Sequence, residues 1–160
     1  MYFLNAKKLP TNAVTKIANV PNILSLEDII GEETGVSKGS DEDYQWIIDP
    51  LDGTTNFVKG IPHFAVSIAL KVKGKLDQAV VFDPIRGELF TASRGKGAQL
   101  NGMRIRVKAH KDLSATILAT GFPFKHKQHT TAYMAMFTSL FQKTSDMRRA
   151  GSAALDLAYV

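Results

Sequence analysis

The residues best placed to do chemistry are Asp49 and Asp52, in the segment Trp46-Ile-Ile-Asp-Pro-Leu-Asp-Gly-Thr-Thr-Asn-Phe57. Pro50 fixes φ and Gly53 permits tight backbone geometry, so the two carboxylates can converge at the end of a short apolar run. Two hard anionic oxygens leaving a strand end suit Mg²⁺, which takes oxygen ligands and keeps several waters. Leu51 would offer its backbone carbonyl to the same ion. Gly53, Thr54 and Thr55 follow directly, and if a helix begins there their amides form an anion site. A divalent metal beside an amide nest is what a phosphate ester needs: the metal polarises the phosphoryl oxygen and lowers the pKa of a bound water. Asp-Pro and Asp-Gly are also ordinary turn residues. The weight therefore rests on the longer string, in which an apolar run leads in and Thr-Thr-Asn-Phe follows. A second Asp-Pro pair, Asp83-Pro84, reads only as a turn.

Upstream, Gly31-Glu32-Glu33-Thr34-Gly35 supplies a candidate third carboxylate, Glu32. It could share a metal with Asp49 and orient the attacking water, and two metals would clamp the attacking and leaving oxygens. His63, between Pro62 and Phe64, reads as a packed or capping histidine. His110, His126 and His129 lie near lysines in loops and read as solvated, as do Lys125 and Lys127. Arg148 and Arg149 could hold phosphate, or serve a dimer interface or the surface.

These residues need elements to hold them. Tyr44 to Asp49 reads as a buried strand running into a loop. Phe64 to Val72, Leu76 to Phe82, Glu88 to Ala92 and Arg104 to Val107 read as an antiparallel meander, with turns at Lys73-Gly74-Lys75 and Asn101-Gly102. After about residue 112 the pattern changes. Ala115 to Ala119 reads as a strand, and Thr130 to Phe141 carries Tyr133, Met134, Met136, Phe137, Leu140 and Phe141 at helical spacing, expected to be helix core. Gly151-Ser152-Ala153-Ala154 opens another helix with Ser152 as its N-cap. The organisation expected is an α+β unit over residues 1–112 and the start of an α/β unit over residues 113–160. Residues 1–25 have no clear periodicity.

The bulk properties fit a folded domain. The chain has 160 residues, 44% hydrophobic and 22% charged, enough for a core and too apolar for disorder. The net charge of +5 allows an anionic substrate, but no basic block interleaved with aromatics points to nucleic acid. No apolar run reaches the roughly 18 residues that span a bilayer, and the N-terminus has no signal-peptide pattern. Cysteine is absent, which excludes disulfides and thiolate metal sites. A cytoplasmic protein without membrane association is expected.

The chain resembles the inositol monophosphatase family, most closely its bacterial branch. The segments carrying the resemblance are GEETG, WIIDPLDGTTNF, IPHFAVSIAL, VVFDPIRGELFTA, RGKGAQLNG, ILATGFPF and RRAGSAALDLAYV, in that order from about Ile30 onward. The resemblance implies the layered αβαβα sugar-phosphatase fold and Mg²⁺-dependent hydrolysis of myo-inositol monophosphates or similar small sugar phosphates. It implies metal ligation by Glu32, Asp49, Asp52 and the Leu51 carbonyl, with roughly two or three Mg²⁺ ions per complete site. It implies phosphate binding at Asp52, Gly53 and Thr54, a water positioned by the Thr54 hydroxyl, and substrate contacts at Gly151, Ser152 and Ala153. It also implies a homodimer, inhibition by lithium, and for the bacterial branch an association with RNA polymerase antitermination complexes. Two parts of the family pattern, an acidic early helix and a later Trp-Asp motif, do not occur in these 160 residues. A chain cut at both ends is therefore expected, with little hydrolysis of its own, a tendency to aggregate, and a non-functional gene fragment as a further alternative.

Overall fold

The protein is described from a computed structural model that covers residues 27–31, 35–37, 41–109, 111–124 and 126–160. Glu32, Glu33, His110, Lys125 and the readings made on residues 1–25 lie outside the described residues. Strands β1 (Glu27–Gly31), β2 (Gly35–Ser37), β3 (Asp41–Asp52), β4 (Ala65–Val72), β5 (Lys75–Asp83), β6 (Glu88–Ser93), β7 (Gly97–Leu100) and β8 (Met103–Ile105) form one sheet in the order β2-β1-β3-β4-β5-β6-β7-β8. β1 and β3 are parallel; every other neighbouring pair is antiparallel. The consecutive hairpins follow from the turn residues. Lys73 and Gly74 both take positive φ, as do Asn101 and Gly102, the pair of left-handed residues that a two-residue hairpin demands.

Alternation sorts the sheet into two faces. On one, Ser67 lies opposite Val81, Val81 opposite Phe90 and Phe90 opposite Leu100. Helix α3 (Ala153–Ala158) packs there: Leu155 joins Ala65 and Phe90 in the buried core, with Val81, Leu100, Ile105 and Ala158 around them. On the other face Trp46, Leu70 and Val80 are buried. Short helix α1 (Thr54–Val58) connects β3 to β4, and Phe57 meets Phe64 edge-to-face at 5.1 Å.

Beyond β8, β9 (Ile117–Ala119) pairs in parallel with β10 (Asp146–Arg148). Between them run a 3₁₀ turn (Lys127–His129) and α2 (Thr130–Phe141). Helix α2 occupies the residues its spacing predicts, but its apolar stripe is not core. No residue of α2 is buried, and Met134, Met136 and Phe141 are exposed. Tyr133 is held through its hydroxyl to Thr120 and through its ring to Phe122. Three further readings shift. The strand expected from Ala115 begins at Ile117, and that expected from Arg104 to Val107 stops at Ile105. The run read as strand-then-loop at Tyr44–Asp49 remains strand through Asp52.

Candidate functional site

That extension of β3 carries the geometry of the site. Asp49 lies opposite Ser67 and Asp52 opposite Ala65, so three steps along β3 match two along β4. Such a step contains one extra residue, a bulge. Without it, residues an odd number apart would point to opposite faces. With it, Asp49 and Asp52 share a face with Ser67 and Ala65, the face that α3 covers. The bulge also removes backbone groups from the ladder at Pro50 and Leu51. Pro50 has no N–H to lose. The Leu51 N–H turns to Asp49 Oδ1 at 3.0 Å, and the Leu51 carbonyl accepts from Thr54 Oγ1 at 2.9 Å.

Two carboxylates and a released carbonyl make an all-oxygen donor set, which fits a hard divalent cation. Among the described residues no three Asp, Glu, His or Cys side chains gather into a metal-holding group. Glu32, the expected third carboxylate, is outside them. Gly31, the residue before it, pairs with Ile48, the residue before Asp49.

The next residues build the opposite wall. Gly53 is left-handed at φ +92° and is the N-cap of α1, the helix start on which the anion reading depended. A Cβ on Gly53 would lie 3.1 Å from the His63 carbonyl oxygen, 3.2 Å from the Gly151 carbonyl oxygen and 3.2 Å from Phe64 Cα. Glycine is thus required both for φ and for close approach. Asp52 reaches across as well: its Oδ2 accepts from Ser152 Oγ at 2.6 Å and from the Ala154 amide at 2.7 Å. Ser152, fully buried, caps α3 by accepting from the Leu155 amide. Gly151 (φ +97°) and Ser152 are therefore brought against Gly53 and Asp52 from a hundred residues away in sequence, with Ala153 lying between Ser152 and the Ala154 amide.

Three features went unread in the sequence. Asn56 is buried and donates to the carbonyls of His63 at 2.7 Å and Ala150 at 2.9 Å. Asp83, read as a turn residue, does start a turn, but its carboxylate is fully buried. It accepts from the Ile85 and Arg86 amides and from Arg86 Nη1 at 2.6 Å. Arg86 in turn lies 3.4 Å from His63 Nδ1, and the hydrogen bond to Asp83 raises the guanidinium pKa further. An Asp-Pro-x-Arg spacing is the only signal that could have found this pair. Asp156, on α3, has its carboxyl pKa raised, first by desolvation and then by the charge of Asp52, with His63 and Arg149 opposing. Arg149 lies over the rings of Phe124 (5.1 Å) and Phe122 (5.9 Å), while Arg148 pairs with Asp146. His126 and His129 are exposed, as expected.

Comparison with known proteins places this geometry. The model of the inositol monophosphatase family matches residues 14–160, beginning well before the Ile30 at which the sequence motifs set in. A protein named Nus factor SuhB from Escherichia coli K12 is 63% identical over 132 residues, covering 82% of this chain and 49% of that protein. The crystal structure of the extragenic suppressor protein suhB from Bartonella henselae superposes with a TM-score of 0.81 at 42% identity, over 97% of this chain and 57% of the other. The inositol monophosphatase from Anabaena superposes with a TM-score of 0.78 at 37% identity, over 94% and 57%. The chain spans about half the length of the curated relatives it matches. Its α+β fold is that of these structures, and the match along nearly its whole sequence settles the family: this chain belongs to the inositol monophosphatases.

Proposed function

We propose that the site serves Mg²⁺-dependent hydrolysis of phosphate monoesters, with myo-inositol monophosphates or similar small sugar phosphates as substrates. The observation that carries this reading is the bulge in β3, which sets Asp49 and Asp52 on one face and frees the Leu51 carbonyl between them. Asp49, Asp52 and the Leu51 carbonyl would hold the metal, with Glu32 as the third carboxylate. Bound there, the metal would polarise the phosphoryl group and supply an activated water. Asp52, Gly53 and Thr54 would bind the phosphate, helped by the amides that begin α1. The Thr54 hydroxyl donates to the Leu51 carbonyl, so its oxygen lone pairs remain available to orient a water. Gly151, Ser152 and Ala153 would receive the alcohol part. Residues 1–112 and 113–160 are proposed as two units. The protein would be cytoplasmic and, as the family resemblance implies, homodimeric and lithium-sensitive.

Asp49→Asn tests the reading. Calorimetric Mg²⁺ binding and hydrolysis of myo-inositol 1-phosphate should both be lost while the melting transition is kept. Unchanged Mg²⁺ affinity in the variant would refute it.

A second reading has its own observation. The 63% identical relative is named a Nus factor, and Phe122 and Phe124, with Arg149 across them, are exposed beside Arg148. A role by protein contact, in an RNA polymerase antitermination complex, would use that surface. Asp49→Asn should leave it intact, whereas Arg148→Glu with Phe124→Ala should abolish it.

A further inference from the structure

We infer that Asn56 is a positioning residue of this site, one that docks the turn Arg149–Ser152 onto the metal- and phosphate-binding loop. The inference rests on the hydrolase reading above and deepens it. Asn56 sits in α1, directly after the Thr54-Thr55 pair, and is 8% exposed. Its single side-chain amide nitrogen serves two carbonyls from distant parts of the chain, His63 at 2.7 Å and Ala150 at 2.9 Å. An amide NH₂ has two N–H donors, so both are spent on this staple. The approach is close enough to exclude any side chain at the next residue. A Cβ on Gly151 would fall 2.8 Å from Asn56 Nδ2 and 3.2 Å from its Oδ1.

Chemistry restricts the position to asparagine. Aspartate has the same shape but no donor, and would put a negative charge against two carbonyl oxygens. Glutamine, one methylene longer, would carry its amide out of register with the two carbonyls. Leucine would bury two orphaned carbonyls. Asp52 adds a second fastening four residues earlier, through Ser152 Oγ and the Ala154 amide. Both fastenings run from the loop that takes the phosphate to the turn that takes the alcohol. The distance between the two halves of the proposed substrate site is thereby set by the Asn56 amide together with the Asp52 carboxylate. A shift of about 1 Å in such placement is enough to cost a hundredfold in rate.

The test compares the parent chain with Asn56→Asp and Asn56→Ala, the latter guarding against a charge-driven failure to fold. Two measurements are made in Mg²⁺: hydrogen exchange at the amides of Leu155 to Tyr159, and calorimetric affinities for inorganic phosphate and for myo-inositol 1-phosphate. In both variants exchange in α3 should quicken tenfold or more, while β4–β6 keep their protection. Affinity for the inositol ester should fall about tenfold and that for inorganic phosphate less than threefold. Unchanged exchange in α3 overturns the docking. Faster exchange with both affinities falling together reduces Asn56 to a structural residue and overturns the positioning role. A parent chain that binds neither ligand overturns the hydrolase reading and the positioning role with it, and the exchange data then judge the docking alone.

Discussion

Gly53→Ala puts a definite load on the loop. The methyl group meets two costs. A non-glycine residue at φ +92° carries roughly 1–2 kcal/mol of backbone strain. The added carbon also faces the His63 carbonyl oxygen at 3.1 Å, the Gly151 carbonyl oxygen at 3.2 Å and Phe64 Cα at 3.2 Å. All three are main-chain atoms, so relief requires moving the start of β4 or the turn before α3. Overpacking of this kind adds about 1–3 kcal/mol, for a total of about 2–5 kcal/mol. Gly102→Ala isolates the first cost. Its φ is +84°, and a Cβ there has nothing within 4 Å, so about 1–2 kcal/mol is expected. Urea unfolding followed by linear extrapolation, with equal m-values, reads the difference. Gly53→Ala should be at least about 1 kcal/mol worse than Gly102→Ala, and it alone should lose Mg²⁺-dependent phosphate binding. Equal destabilisation by the two substitutions would refute the claim that close approach fixes Gly53.

Other outcomes are specific to single side chains. Arg86→Met leaves the fully buried Asp83 carboxylate with only two amide donors. Because the guanidinium is half exposed, the loss should be about 1–3 kcal/mol in urea unfolding, less than for a fully enclosed pair; no loss would sink the pairing. Desolvation, helped by the Glu88 carboxylate that accepts its hydroxyl proton, pushes Tyr159 up to about 12. Of the four tyrosines, one should ionise last in an ultraviolet titration, and Tyr159→Phe should remove that step. A raised folded-state pKa means that the phenol's contribution is complete below the ordinary tyrosine range and declines as pH rises through about 12.

Much of the sheet was legible because its signals are local. Alternation from Ala65 to Ser93 and the left-handed turn pairs at Lys73-Gly74 and Asn101-Gly102 identify hairpins without reference to the rest of the chain. The cap of α3 was legible for the same reason, since Ser152 and Leu155 are three residues apart. What escaped notice is long-range or depends on partners. Asn56 looks like any polar residue until Ala150 arrives from 94 residues on. Asp83 looks like a turn because burial of a carboxylate leaves no mark on its neighbours except an arginine three residues later. The stripe on α2 has the period of a buried face, but period reports only which residues point the same way. It does not report whether an element is present to cover them, and Met134, Met136 and Phe141 stay exposed. Asp49 and Asp52 could be paired by spacing, yet which face they take was hidden, because a strict two-residue period would have set them on opposite sides.

The extra residue in β3 makes the length of Asp-Pro-x-Asp carry information that its letters do not. A shorter Asp-x-Asp strand would also hold both carboxylates on the α3 face, by plain alternation. It would, however, return the intervening carbonyl to regular sheet geometry, and the third oxygen of the proposed set would be gone. The bulge thus separates two supplies that a regular strand ties together: anionic charge from side chains and a neutral dipole from the main chain. The proposed ligand set, two carboxylates with an uncharged third donor, is gathered at one strand end because the pleat there miscounts by one.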